Sequence, residues 1–449
     1  MRRISVKKAA ELVGGTLVGG AGEQEILGVV IDSRNVEEGF AFAALSGERV
    51  DGHSFVAKAF EMGAACCIVR HECPEAHGCQ IVVSDVAKAM AKLAEEYRKT
   101  LNIPVIGITG SVGKTTAKEM VSAVLSQKYN VLKTDKNFNN ELGVPLTIFR
   151  IEPEHEIAVI EMGISGFGEM SRLARMVRPT AAVYTLIGHA HLDALHDRTG
   201  VFKAKTEMLE YMRDDATVFL NADDDLLSTC DCRQNKVLYG LCDNADVKAE
   251  NITPDGSGGV DCDIVSAERR MRVHIPFYGQ HMVYAALEGA AVGLKFGLSD
   301  EHIANGIASY QTVGRRANVT DTGFITLIDD CYNANPDSVK CAVDSLTRLH
   351  GRKVCIFGDM LEMGEDKARL HADIGRYAAE RGVSLMLCVG ELSKNTCRAA
   401  EDISALHFQS NAELIQELPK LIEKGDAVLV KASHSMKLEE ISEALKLLK

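Results

Sequence analysis

The stretch Val105-Ile106-Gly107-Ile108-Thr109-Gly110-Ser111-Val112-Gly113-Lys114-Thr115-Thr116 decides how the chain is read. Its first five residues are the continuous apolar run of a parallel strand buried on both faces. After Thr116, Ala117, Met120, Val121, Val124 and Leu125 recur at helical spacing. Between strand and helix, Gly110 and Gly113 let the backbone curl so that the N–H groups of Ser111, Val112 and their neighbours face one point. A ring of donors at a helix N-terminus suits a polyphosphate. Lys114 is placed to reach the β- and γ-phosphates and the Thr115 hydroxyl to bind Mg²⁺, with Thr116 beside it. The strict G-x-x-x-x-G-K-[ST] pattern has Gly where this chain has Ile108, so the loop is a variant. The alternative is an ordinary strand-to-helix turn.

Outward from this stretch, the pattern changes at Asn102-Ile103-Pro104, after a segment at 86–99 with Ala and Leu on one face and Lys and Glu on the other. Strand-like runs at 157–162, 181–187 and 217–221 alternate with helical stretches, which predicts βαβ units and a parallel sheet. A second change falls near Gln311-Thr312-Val313-Gly314, followed by runs at 325–329, 353–358, 385–390 and 427–430. The reading is an α/β protein of three domains: 1–102, a small α/β unit; 103–312, the phosphate-loop unit; and 313–449, a Rossmann-like unit. The Gly-rich 253–259 stretch reads as a hairpin loop.

Composition removes several classes. At 449 residues, 46% hydrophobic and 25% charged, the chain is not a disordered segment, a fibre or a small disulfide scaffold. Lys plus Arg number 50 against 63 Asp plus Glu, a net charge of −13. That argues against nucleic acid as a partner, since a broad basic face is missing. No window approaches the ~18 to 20 apolar residues of a membrane span. The basic start Met1-Arg2-Arg3 lacks a following apolar region, so no signal peptide is read. Thirteen cysteines with no C-x-x-C pair suggest reduced thiols in the cytoplasm.

Three further places carry candidate chemistry. Glu161 ends an apolar strand, where ligands of α/β sheets collect, and could help to hold the metal or simply enter a loop. His189 and His191 follow another strand end; with no third ligand at a familiar spacing, zinc is not supported. Lys205, in Phe202-Lys203-Ala204-Lys205-Thr206, reads as an exposed helical lysine.

Taken together, Thr109-Gly110-Ser111-Val112-Gly113-Lys114-Thr115, the strand-end Glu161, His191-Leu192-Asp193 and the Ala204-Lys205 pair fourteen residues beyond that histidine resemble the Mur ligase superfamily. These are ATP-dependent amide-forming ligases of peptidoglycan precursor synthesis. Three stretches are similar to the branch that joins D-alanyl-D-alanine to a UDP-N-acetylmuramoyl-tripeptide. They are Asp32-Ser33-Arg34 with Asp51-Gly52-His53-Ser54-Phe55, the loop from Lys136 to Pro145, and Asp329-Asp330-Cys331-Tyr332-Asn333-Ala334-Asn335-Pro336-Asp337-Ser338. Gly358-Asp359-Met360-Leu361-Glu362-Met363-Gly364 extends the match.

The resemblance implies roles. Lys114, Lys205 and Arg315 would be catalytic, Arg315 reaching the γ-phosphate from the domain junction. Gly110 to Thr116, Asn221, His281, Arg315, Asp330 and Asn333 would contact ATP. Thr115, Glu161, His191 and a carbamylated Lys205 would surround Mg²⁺. Ser33 and Arg34 would meet the uridine nucleotide, and Asn137, Asn139, Asn140 and Asn335 the remaining substrate. For Ser33, Arg34, Asn335 and Ser338 the alternative is local turn and cap chemistry. The branch also implies a monomer working in the cytoplasm on small molecules. Two positions depart from its pattern: Met282 stands where Asn is usual, and His434 where Arg is usual.

Overall fold

A computed structural model of the chain describes residues 1–449 except Glu48, Arg49, Gly256, Ser257, Glu268, Tyr278 and Val313. Two of these, Gly256 and Ser257, belong to the hairpin loop read from the sequence, and Val313 to its second boundary; they lie outside the described residues.

Three large sheets organise the molecule, beside a two-stranded antiparallel pair, Ile4–Ser5 and Glu25–Ile26. In the first, Gly28–Val30, Phe40–Ala43, Cys66–Val69 and Gln80–Val82 run parallel, and Thr16–Val18 joins antiparallel at the edge. The second has nine strands. Val131–Lys133, Ile157–Glu161, Val105–Thr109, Ala181–Tyr184, Thr217–Asn221, Asn235–Gly240 and Val247–Pro254 are parallel neighbours in that order. An antiparallel extension, Val260–Ser266 and Arg269–Ile275, completes it. The third has Asn318–Asp321 antiparallel to Thr326–Asp329, then Ala427–Lys431, Lys353–Gly358, Leu385–Val389 and Ser404–Phe408 in parallel.

The middle strands are buried along their whole length, as both faces are covered by helices. Helix Lys114–Leu125 packs on helix Gln280–Lys295, where Gly289 allows the close approach, and on helix Asp300–Ala308, where a Cβ on Gly306 would lie 2.4 Å from the Val124 Cα. Helix Val86–Lys99 leaves the first sheet and lies against helices Gly143–Phe149 and Glu169–Val177 of the second unit. Its Arg98 is buried and donates to the carbonyls of Val177 and Leu101, each at 2.9 Å, so one guanidinium fastens the connection at 100–104. Among the described residues no helix is long and apolar enough to cross a membrane.

Candidate active site

The carboxyl ends of three adjacent strands, Ile157–Glu161, Val105–Thr109 and Ala181–Tyr184, open on one place. The loop between Thr109 and Lys114 needs two glycines. Gly110 has φ +152°, and a Cβ there would lie 1.9 Å from Thr185 Oγ1; Gly113 is left-handed at φ +86°. Contacts with the neighbouring strand end hold the loop. The Ser111 amide donates to the Leu186 carbonyl at 2.7 Å, the Ser111 hydroxyl to Gly188 at 3.2 Å, and the Thr185 hydroxyl to Val112. Lys114 opens the helix and bends back to donate to the Gly110 carbonyl at 2.8 Å. Burial pushes its ammonium below the ordinary lysine value; nearby Glu161 opposes the shift and Arg316 adds to it.

Glu161 is 1% exposed. Its carboxylate accepts from the Thr115 hydroxyl at 2.9 Å and from the Asn139 amide at 2.8 Å, while its backbone N–H donates to the Thr134 hydroxyl. A hydroxyl, a carboxylate and an amide thus meet at the phosphate loop, a set of hard oxygen donors suited to Mg²⁺.

Lys205 lies in the last turn of helix Arg198–Thr206 and is 1% exposed. No carboxylate lies within ion-pair distance of its ammonium among the described residues. Burial, reinforced by the charge of Lys114 and only opposed by Glu169, pushes it far below the ordinary lysine value. His191 is half-buried near the same two lysines, with left-handed backbone at φ 54°. Burial lowers its pKa, leaving a neutral imidazole whose Nδ1 meets the Glu362 carboxylate of the third unit.

The connection into the third unit carries two arginines with different partners. Arg315 is bound to Asp329 at 2.9 Å and Glu443 at 2.7 Å, both in the third unit. Arg316 lies over the Tyr332 ring, 4.0 Å from its centroid, and its charge is felt at Lys114 and Tyr310. Tyr332 also packs on His434, with ring centroids 5.6 Å apart. Asp330 accepts from Lys431 at 2.6 Å and from the Ala317 N–H at 3.1 Å. His281, lowered by burial, feels both Asp330 and Lys431 from across the junction.

Three family models match in sequence: "Mur ligase family, catalytic domain" at residues 25–109, "Mur ligase middle domain" at 108–293 and "Mur ligase, glutamate ligase domain" at 314–434. The UDP-N-acetylmuramoyl-tripeptide--D-alanyl-D-alanine ligase of Bacillus subtilis is 37% identical, with 98% of both chains covered. Among solved structures, MurF from Acinetobacter baumannii superposes with a TM-score of 0.91 at 30% identity, over 99% of each chain. MurF ligase from Thermotoga maritima in complex with ADP gives 0.81 at 27% identity, over 93% of this chain and 97% of that one. The chain belongs to the Mur ligase family.

In this Mur ligase, Lys114, Thr115, Glu161, His191 and Lys205 come together as one cluster, while several other candidates stand elsewhere. Arg315 is bound to two carboxylates of the third unit, and the arginine charge felt at Lys114 is that of Arg316. Lys205 is buried rather than an exposed helical lysine, because Ala204, Lys205 and Met208 turn inward together. Asn139 binds Glu161 and so stands beside the metal candidates. Asn140 caps helix Gly143–Phe149 by accepting from the Leu142 and Gly143 amides, and Asn137 is exposed with no such bond.

Asn335 forms a capping box with Ser338 at the start of helix Pro336–Leu346, with both reciprocal bonds present, at 2.8 and 3.0 Å. Asn333 accepts from its own neighbour, the Ala334 N–H. Asn221 is used within the fold, donating to the Thr185 carbonyl at 3.0 Å and accepting from the Asp223 N–H. In the first unit, Ser33 begins a short turn, and Arg34 is exposed and bound to Asp32 at 2.6 Å. That turn, with Asp51, His53 and His71, lies at the carboxyl ends of three parallel strands. Asp51, His53 and His71 are close enough to suggest a metal. His53, however, is satisfied at both nitrogens, by Asp51 at 2.7 Å and by the Arg70 N–H at 2.9 Å. Sequence reasoning gave no role to Arg316, Asp337 or Glu362, although the last two lie in stretches whose pattern it noticed.

Proposed function

We propose that this Mur ligase joins D-alanyl-D-alanine to a UDP-N-acetylmuramoyl-tripeptide with ATP, releasing the UDP-linked pentapeptide, ADP and phosphate. Similarity over the whole length to enzymes of that name supports the reaction. The observation that carries the chemistry is the convergence of Lys114, the Thr115–Glu161–Asn139 set, His191 and Lys205 beside one phosphate loop.

The terminal carboxylate of the tripeptide attacks the γ-phosphorus of ATP, and the bond to the β-phosphate oxygen breaks, giving an acyl phosphate and ADP. The amine of D-alanyl-D-alanine then adds to the acyl carbon. The tetrahedral adduct expels phosphate and loses the amine proton. No side chain need act as nucleophile; the protein positions groups and neutralises charge. The loop amides and Lys114 cradle the phosphates, and Arg316 approaches from the connecting segment to meet charge on the transferring group. Thr115, Glu161 and His191 would hold Mg²⁺, which when bound neutralises the phosphate oxygens and aligns them.

Lys205 fits carbamylation for a physical reason. Burial without a counter-ion leaves a free amine, and a free amine attacks CO₂ to form a C–N bond with loss of one proton. The product is an anion among Lys114 and His191, able to organise Mg²⁺ or the acyl phosphate. In this reading residues 1–102 bind the UDP moiety, 103–312 bind ATP, and 313–449 bring the dipeptide. The protein works as a monomer in the cytoplasm, where such nucleotide substrates are found.

The test is ADP release measured with each substrate omitted in turn. Release should need both the UDP-linked tripeptide and D-alanyl-D-alanine. Turnover with a folate or with a single amino acid in place of the dipeptide would overturn the assignment.

A further inference from the structure

The short stretch from Gly358 to Gly364 has no role in the reaction as derived above, yet it reaches across the domain junction to the loop that carries His191. His189 to Asp193 form the loop after strand Ala181–Tyr184, and the third unit grips this loop at several points. Asp337, in the first turn of helix Pro336–Leu346, accepts from the His189 N–H at 2.7 Å and meets its Nδ1 at 3.2 Å. Gly188 makes room for it, since a Cβ there would lie 2.3 Å from Asp337 Oδ2. The Leu192 N–H donates to the Glu362 carbonyl at 2.9 Å, and the Gly364 N–H to Asp193 Oδ1 at 2.6 Å. Between these anchors, His191 and Glu362 face each other, both in left-handed backbone at φ 54° and 60°. The His191 Nδ1 is hydrogen-bonded to the Glu362 carboxylate.

We infer that Glu362 is a positioning residue that orients His191 from across the domain junction, so that the metal site is complete only when the third unit is docked. A carboxylate accepting from Nδ1–H fixes the imidazole in the tautomer whose Nε2 lone pair is free for a cation, and it holds the ring plane. The central unit supplies the imidazole and the third unit its orientation. Domain docking and cation binding are thereby the same equilibrium seen from two sides. The flanking anchors hold both loops where the two left-handed residues meet. The inference rests on the reading of His191 as a cation ligand, and its test separates the two.

The full chain is titrated with Mn²⁺ in the presence of ADP, and free Mn²⁺ is read by electron paramagnetic resonance. The proteins compared are wild type, Glu362→Ala, Glu362→Gln, His191→Ala and His191→Ala with Glu362→Ala. Glu362→Ala should weaken Mn²⁺ binding about tenfold. Glu362→Gln, which keeps an oxygen acceptor, should recover most of that loss. In the His191→Ala background, Glu362→Ala should add nothing further. ¹⁵N spectra should give a pure Nδ1–H tautomer for His191 in wild type and a mixture in Glu362→Ala. If His191→Ala weakens Mn²⁺ binding and Glu362→Ala does not, the positioning role falls and the ligand reading stands. If the two losses add, Glu362 acts elsewhere and the inference falls. If His191→Ala itself changes nothing, both fall together.

Discussion

Lys205 and Lys431 are both almost wholly hidden, at 1% and 3% exposed, and each stands close to a proposed nucleotide contact. Lys431 ends strand Ala427–Lys431 and donates to Asp330 at 2.6 Å and to the Asn333 carbonyl at 2.9 Å. Lys205 has no carboxylate at ion-pair range among the described residues and faces Lys114 instead. An ammonium taken out of water is costly unless a counter-charge offsets the loss. Where the counter-charge is present, the lysine is a strut between two segments of the third unit. Where it is missing, the proton leaves and a nucleophilic amine remains. Burial is common to both; the neighbouring charge decides which becomes reactive.

The largest effect that can test this contrast is at the loop that gives Lys205 its cationic neighbour. Lys114→Ala should lower ADP release by about 10³-fold or more, since it removes the charge that neutralises the transferring phosphoryl group. Its half-buried side chain contributes only one hydrogen bond to the fold, so the thermal midpoint should hardly move. Substantial ligation by a folded variant would remove Lys114 from the mechanism.

Lys205→Ala should cost several hundredfold in turnover, on the order of 10² to 10³, and short carboxylic acids such as acetate should restore part of it. Growth with ¹³C-bicarbonate should give wild-type protein one carbamate carbonyl resonance that Lys205→Ala lacks. Lys431→Ala should respond oppositely. Leaving Asp330 without its partner should cost roughly 3 kcal/mol in stability, and no carboxylic acid should restore it. Rescue of both variants, or of neither, would erase the distinction between strut and nucleophile.

A third comparison concerns adjacent arginines. Arg316→Ala should lower kcat about 10²-fold with a much smaller change in ATP affinity, as expected of a charge that meets the group being transferred. Arg315→Ala removes a partner from Asp329 and Glu443 and should change kcat less than threefold, within the range of a partly exposed ion pair. Reversed results would return the role to Arg315 and require the junction to rearrange when ATP binds.

What the sequence made legible were the features set by near neighbours in the chain. The run Val105 to Thr109, the glycines and Lys114-Thr115 fall within one strand–loop–helix, and each is dictated by backbone chemistry that extends over a few residues. Glu161 was visible for the same reason, as the end of an apolar run. Which of Arg315 and Arg316 is held by Asp329 and Glu443 was not, because that pairing depends on residues the local sequence does not bring together. The burial of Lys205 depends on helix Arg198–Thr206 being rotated against the sheet, and its own pattern reads as a surface. Asn335 shows the local alternative being realised: its Asn-Pro-Asp-Ser sequence has all the parts of a capping box, and the structure forms it. Glu362 becomes meaningful only when a residue 171 positions earlier lies against it.

The same comparison extends from lysines to carboxylates and gives the smallest of the expected effects. Glu161 is surrounded by donors from Thr115 and Asn139, whereas Glu288, in helix Gln280–Lys295, is 3% exposed and, among the described residues, has the Tyr239 hydroxyl at 2.8 Å as its one side-chain hydrogen-bond partner. That hydroxyl also faces the Tyr184 carbonyl at 2.7 Å and has one hydrogen to give. A protonated Glu288 resolves the competition by donating to the tyrosine oxygen. Burial accordingly raises its pKa from the ordinary 4.5 to about 8. Between those values the folded chain keeps a proton that the unfolded chain has released, so stability falls as pH rises through that window. From pH 6 to 7.5 the fall should be about 2 kcal/mol, by 1.36 kcal/mol per unit. Glu288→Gln keeps a donor and carries no proton to lose, so its denaturation midpoint should be flatter over the same interval. An unchanged slope in Glu288→Gln would mean that Glu288 is ionised in the folded protein. Burial without donors would then be insufficient to neutralise a side chain here, and the same doubt would extend to Lys205.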